Sequence, residues 1–236
     1  MTPEVFIYTD FDGTITKKDL GDDLFIQYGQ FEPYHTLLIS GQLEIKEYWR
    51  QLFATLPELD KEFVRRYALE QETDAYFPAF AKYCEASGMP LAVVSDGFDA
   101  YIEPVLEKIG LSELPVYANK MEFSSGRAKP VFTLPSESCK CLVASCKRNR
   151  ILIKTPPDAV IVYIGDGYSD FCASEHADVI FAKGNLAKYC SSNRIPFHNF
   201  NTFFEVLQII KKLVHDKRLK PRHQAYLKRK SAFEAE

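Results

Sequence analysis

No stretch of the 236 residues reaches the roughly 18 to 20 consecutive apolar positions of a bilayer-spanning helix, so no transmembrane segment or membrane partner is expected. The opening Met1-Thr2-Pro3-Glu4 lacks a basic segment followed by an apolar one, so no secretory leader is expected and the chain is read as cytoplasmic. Neither sign of charge dominates. Lys and Arg number 29 against 32 Asp and Glu, and the net charge of −3 gives no global attraction to nucleic acid. The one locally basic stretch, Lys211 to Lys230, is read as a solvated terminal helix with a fraying end, so no nucleic-acid partner is expected. Internal repeats and low-complexity tracts are also missing. With 46% hydrophobic and 26% charged residues, the composition is that of an ordinary globular chain, which sets aside the fibrous and disordered classes.

Six cysteines are present, Cys84, Cys139, Cys141, Cys146, Cys172 and Cys190. An even count points to disulfides only in short secreted chains, and nothing here marks secretion, so reduced thiols are expected. Cys139, Cys141 and Cys146 cluster in Cys-Lys-Cys-Leu-Val-Ala-Ser-Cys and could contribute three thiolates to a zinc site. No fourth ligand and no two-residue cysteine gap is evident nearby, so thiols without metal are the expectation.

Four short apolar runs organise the rest. Val5 to Thr9 ends in acidic residues and a glycine, Leu91 to Val94 ends in Ser95-Asp96-Gly97, Val160 to Ile164 ends in Gly165-Asp166-Gly167, and Asp178 to Ala182 ends in Lys183-Gly184. Short β-branched runs of this kind read as buried parallel strands. Helical patterns lie between them at Phe77 to Ser87, Ala100 to Ile109 and Ser169 to Ala177. Strands alternating with helices predict an α/β fold, a three-layer Rossmann-like sandwich with a parallel sheet. The stretch from about Thr16 to Tyr76 breaks the alternation. Its periodic apolar positions Leu43, Tyr48, Trp49, Leu52 and Phe53 predict a small helical cap, dividing the chain into a core of residues 1–15 and 77–236 and a cap of 16–76. An insertion just after the first acidic turn is placed to act as a lid. From Val116 to Phe132 the pattern predicts a hairpin turning at Ser124-Ser125-Gly126.

The chemistry gathers where these strands end, which is where open parallel sheets bind ligands. Asp10 and Asp12, one residue apart after the first strand, can point the same way. Paired carboxylates raise each other's proton affinity and attract a hard divalent cation. Gly13 lets the chain turn towards an anion, and Thr14 can cap the segment after the turn. Asp166 and Asp170 supply a second acidic pole, and together these acids imply magnesium. A phosphate site also needs a hydroxyl donor, supplied by Ser95, and a fixed cation, for which Lys147 is the choice and Lys129 the rival. Gly97 permits close backbone approach.

This set, Asp10-Phe11-Asp12-Gly13-Thr14, then Ser95, then Lys147, then Gly165-Asp166-Gly167-Tyr168-Ser169-Asp170, resembles the haloacid dehalogenase-like hydrolase superfamily over most of the chain. The helical insertion resembles its phosphoserine phosphatase branch. Ser95-Asp96-Gly97-Phe98-Asp99 and Cys146-Lys147 look closer to the methionine-salvage phosphatases. One departure is Asp96, which stands where phosphoserine phosphatases usually carry the first glycine of Ser-Gly-Gly-Phe.

The resemblance implies a magnesium-dependent phosphomonoesterase acting on a small phosphorylated metabolite. Asp10 would be the nucleophile and Asp12 the acid and base, with Ser95 and Lys147 holding phosphoryl oxygens. Magnesium would be held by Asp10, the carbonyl of Asp12 and Asp166, with Asp170 orienting a water or Lys147. Thr14, Asp96, Gly97 and the cap residue Arg50 are expected beside the substrate. Asp19 and Asp22 would either face the substrate or cap the first cap helix. The alternatives are a phosphomutase of the same superfamily and a catalytically silent phosphate-binding protein. No oligomeric state is assigned.

Overall fold

The structure, a computed structural model, describes residues 4–133, 139, 141 and 143–234; Met1, Thr2 and Pro3, on which the leader reading partly rests, lie outside the described residues. Among the described residues, seven strands form one sheet: β1 (Val5–Thr9), β2 (Leu91–Phe98), β3 (Val116–Ser124), β4 (Arg127–Val131), β5 (Val160–Gly165), β6 (Val179–Ala182) and β7 (His198–Asn199). Their order is β4-β3-β2-β1-β5-β6-β7, parallel throughout except for the antiparallel pair β3–β4. That pair is the expected hairpin. Its two-residue turn uses Ser125 at φ 50° and Gly126 at φ 74°, the left-handed pair that matches the twist of the strands.

Period-two alternation divides each central strand between two cores. Ile7, Val162 and Ile164 face one side, with α5 (Phe77–Ala86), α6 (Asp99–Lys108) and α10 (Phe203–His215) packed over them. Tyr8, Ile161 and Tyr163 face the other, under α7 (Lys147–Lys154), α8 (Phe171–Glu175) and α9 (Gly184–Ser192). Helices on both faces of a mainly parallel sheet make the three layers that the sequence predicts. The helical pattern read at Ser169 to Ala177 is shorter in fact. A single 3₁₀ turn, Tyr168–Asp170, precedes α8, because the Asp170 carboxylate folds back onto the Asp166 and Gly167 amides.

The segment after β1 forms α1 (Leu20–Tyr28), α2 (Tyr34–Ile39), α3 (Ile45–Thr55) and α4 (Lys61–Leu69). Its two ends are clipped together by an antiparallel bridge between Thr16 and Thr73, by Lys17 N–H to Glu72 O at 3.0 Å and by Asp74 N–H to Ile15 O at 2.8 Å. The aromatic residues of the insertion close on the end of β2. The Trp49 and Phe53 rings lie 5.1 and 4.9 Å from that of Phe98, edge to face in both cases. Burying side chains of this size contributes about 1.5–3 kcal/mol each, so the insertion is held against the sheet edge by its own apolar face.

The basic carboxyl-terminal stretch is largely exposed and helical, as its sequence reading expects, but its end is docked rather than fraying. A capping box between Thr202 and Glu205 opens α10, which buries Phe203, Val206 and Ile210. Beyond it, α11 (His223–Glu234) carries Arg229, which is 4% exposed and donates to both Asp178 oxygens at 3.1 Å and to His176 O at 2.7 Å. Asp178 also accepts from the Ile161 and Arg222 amides, so one buried carboxylate ties the terminal helix to β5.

Candidate active site

Thr9 is in register with Val93 of β2 on one side and Ile164 of β5 on the other, so the carboxyl ends of the three central strands arrive level. The chain leaves β1 with strands following on both sides, the kind of switch point where parallel sheets open a crevice. Asp10 N–H still pairs with Ile164 O at 2.8 Å, fixing Asp10 at the rim. Gly13 then reverses the chain at φ 69°. A Cβ there would stand 2.7 Å from Asp166 Oδ2, so glycine both permits the turn and admits Asp166 to the centre.

One oxygen from each of Asp10, Asp166 and Asp170 lies within 4.8 Å of the others. Lys147, the first residue of α7, reaches into this group with Nζ 2.6 Å from Asp10 Oδ1, 2.6 Å from Asp170 Oδ1 and 2.8 Å from Ser169 Oγ. Burial disfavours its charged form, but the Asp10 and Asp170 carboxylates outweigh this and raise its proton affinity above the ordinary lysine range. Asp170 is saturated. Its Oδ1 accepts from Lys147 and from the Tyr163 hydroxyl at 2.5 Å, and its Oδ2 from the Asp166 and Gly167 amides at 2.9 Å each. It therefore holds Lys147 and the turn in place, within the group of Asp10, Asp166 and Asp170 that could hold a metal.

Three carboxylates crowd the Lys147 ammonium at this sheet edge, with the Lys183 charge also acting on Asp166. Burial, with the Asp170 charge second, pushes the Asp10 carboxyl well above the usual range, and Asp166 is raised for the same two reasons. A cluster of carboxylates with an all-oxygen donor set fits a hard divalent cation such as Mg²⁺.

Asp12 is oriented differently. Its Oδ1 accepts from the Leu20 amide at 2.9 Å, and its Oδ2 faces Ser95 Oγ at 3.4 Å and the Tyr101 hydroxyl at 3.3 Å. Its side chain thus lies towards α1 and away from the three-carboxylate cluster. Burial, then the Asp19 charge, raises its proton affinity well above normal, which suits a group that must hold a proton at neutral pH. Asp19 is the N-cap of α1, accepting from the Asp22 amide at 2.8 Å. Ser95 Oγ accepts from Gly97 N–H at 2.9 Å, and a Cβ at Gly97 would collide with the Tyr101 hydroxyl.

Three residues expected beside the substrate have partners within the fold. Thr14 is buried and donates to Asp166 Oδ1 at 2.8 Å, aiming that carboxylate. Asp96 turns its carboxylate away from the centre. Its Oδ1 accepts from the Ser145 amide at 2.7 Å and from Asn119 at 3.2 Å, and its Oδ2 accepts from the Ala144 amide at 3.1 Å. The acid that departs from the Ser-Gly-Gly pattern thus docks the segment leading into Lys147. Arg50 is largely exposed on α3, pairs with Glu47 at 3.5 Å and lies over the Phe132 ring, lining a cleft with Arg127 and Lys129 that contains none of the acids. The rival Lys129 sits on β4 opposite Glu122, apart from Asp10.

Sequence reasoning missed Tyr163 and Tyr101, whose hydroxyls anchor Asp170 and Asp12. A tyrosine two residues before Gly165 in an otherwise aliphatic strand was the available signal for the first.

A family model for haloacid dehalogenase-like hydrolase matches residues 7–175, and the chain belongs to that family. It is a phosphoric monoester hydrolase. Among its relatives, the 2-hydroxy-3-keto-5-methylthiopentenyl-1-phosphate phosphatase of Brevibacillus brevis is 27% identical over 90% of this chain and 98% of its own length. That of Bacillus mycoides is 28% identical over 89% and 98%. A phospho-aspartyl intermediate analogue of phosphoserine phosphatase superposes with a TM-score of 0.66 at 20% identity, covering 89% of this chain and 99% of that one, which is a likeness of fold.

Proposed function

We propose that the chain is a magnesium-dependent phosphatase that hydrolyses a small phosphorylated metabolite through an aspartyl-phosphate on Asp10. The observation that carries this reading is the meeting of Asp10, Asp166 and Asp170 around the buried Lys147 ammonium. Asp10 and Asp166, with the carbonyl of Asp12, would hold Mg²⁺, which when bound offsets the negative charge of the acids and of the phosphoryl group.

The carboxylate of Asp10 attacks phosphorus, and the bond to the leaving alcohol breaks in line. Asp12 delivers its proton to the departing oxygen, then takes one from the water that cleaves the acyl phosphate. Lys147 and Ser95 neutralise and orient the phosphoryl oxygens, where positioning and charge do most of the catalysis. Residues 16–76 act as the cap over a core of 1–15 and 77–236, a division supported by the clip at Thr16 and Thr73. The names of the curated relatives make a methylthio-substituted keto phosphate the first substrate to try. A cytoplasmic setting, where thiols stay reduced, suits a chain with no disulfide among its described cysteines.

The test is phosphate release by the purified chain with Mg²⁺ from a panel of p-nitrophenyl phosphate, phosphoserine, sugar phosphates and methylthio keto phosphates. Turnover that disappears in Asp10→Asn supports the covalent route. Turnover that survives this substitution overturns it.

A further inference from the structure

A second cluster lies beside the carboxylates. The Sγ atoms of Cys139, Cys141, Cys146 and Cys172 all lie within 4.8 Å of one another. Three of these cysteines come from the segment ahead of α7 and the fourth from the first turn of α8, so the fourth ligand that the local sequence lacks arrives from elsewhere in the chain. Cys139 Sγ is 3.1 Å from Cys172 Sγ, and Cys141 Sγ is 3.6 Å from Cys146 Sγ. Both separations are far longer than the roughly 2.0 Å of a disulfide. They approach the sulfur–sulfur edge of about 3.8 Å in a tetrahedron built on metal–sulfur bonds of about 2.3 Å.

We propose that Cys139, Cys141, Cys146 and Cys172 form a structural zinc site. Four converging thiols make a closed, soft donor set, which selects Zn²⁺, whereas the neighbouring all-oxygen centre selects a hard cation. Binding releases the thiol protons to solvent as the thiolates coordinate. The placement gives the site a task. Cys146 directly precedes Lys147, and Cys172 follows Asp170 by two residues, so one ion cross-links the two segments whose side chains meet at 2.6 Å. It acts on Lys147 as the Asp96 carboxylate does, by fixing the chain ahead of α7. This inference rests on the four thiols and is independent of the reaction proposed above.

The test is zinc binding by the full chain, stripped of metal under reducing conditions and titrated with Zn²⁺ against a chromophoric chelator. About one zinc per chain is expected, bound equally in Asp10→Asn, where the carboxylate centre is disabled, and in the Cys190→Ser control. Cys139→Ser and Cys172→Ser should each retain less than about a tenth of it. Cobalt in place of zinc in the unmutated chain should give the thiolate-to-metal charge-transfer band of a four-sulfur site, a readout that needs no variant to fold. Failure of the unmutated chain to hold zinc, absence of that band, full zinc retention in Cys139→Ser and Cys172→Ser, or a Cys139–Cys172 disulfide in anaerobically purified protein each overturns the proposal.

Discussion

Lys147 Nζ lies 2.6 Å from Asp10 Oδ1 although 137 positions separate the two residues, and both side chains are almost wholly buried. The site is thus wired around one fixed positive charge before any metal arrives, and that charge is shared between Asp10 and Asp170. Removing it strands two buried carboxylates. Lys147→Met is therefore expected to lower stability by about 3–5 kcal/mol, since breaking a buried ion pair from one side leaves uncompensated charge. Urea unfolding measures this, and Mg²⁺ should raise the midpoint of the variant more than that of the unmutated chain. An unchanged midpoint would refute the account.

Burial and the Asp19 charge both disfavour the ionised form of Asp12 and raise its proton affinity above that of an ordinary carboxyl. Asp12→Asn should slow hydrolysis of alkyl phosphates by roughly 10²–10⁴-fold, the usual contribution of general acid–base catalysis. With p-nitrophenyl phosphate, whose leaving group needs no proton, the first step should be spared and phosphate-labelled enzyme should accumulate. Equal losses on both substrates, with no labelled enzyme, would remove Asp12 from the proton path.

Metal binding should depend on pH in a defined direction. The folded-state pKa values of Asp10 and Asp166 lie above the ordinary carboxylate value, so these groups carry more protons in the metal-free chain than free carboxylates would. A cation must displace those protons. The apparent Mg²⁺ affinity should therefore go on rising with pH above the ordinary carboxylate range, with net proton release on binding. Calorimetry in buffers of different ionisation enthalpy counts the protons, and an affinity flat above that range would contradict the raised values.

Asp96 separates a positioning role from substrate contact. Its carboxylate docks the Ala144 and Ser145 amides just ahead of Lys147. Asp96→Ala leaves these amides unpaired, costing about 1–3 kcal/mol, and loosens Lys147. The expected signature is a fall in kcat with KM for p-nitrophenyl phosphate nearly unchanged. A rise in KM alone, with kcat intact, would return Asp96 to the substrate pocket.

Much of the architecture was legible because it rests on local pattern. The apolar runs that became β1, β5 and β6 are short and β-branched and end in small or acidic residues, and their period-two faces pack into the two cores. The Ser125-Gly126 turn was likewise carried by its own residues. The basic terminal stretch is solvated as its charge suggests, but its docking was not legible, because that is decided by Asp178, some fifty residues away, which Arg229 reaches in the folded chain.

The same division runs through the site. The sequence alone determined which acids and hydroxyl stand at the ends of the strands, because a parallel sheet delivers the residues after its strands to one edge, whereas the lysine, on a helix, was chosen between Lys147 and Lys129 only by the fold. It also determined that glycine follows Asp12, where the chain must turn. Only the tertiary structure decided how the side chains are used. Thr14 turns to Asp166, Asp96 to the segment before Lys147, Asp170 to four donors at once, and Cys172 to three cysteines near Lys147. The reason is physical: strand periodicity is a property of neighbours in the chain, whereas the partner of a buried polar group is whichever donor or acceptor the packing brings within about 3 Å, and that is a property of the whole fold.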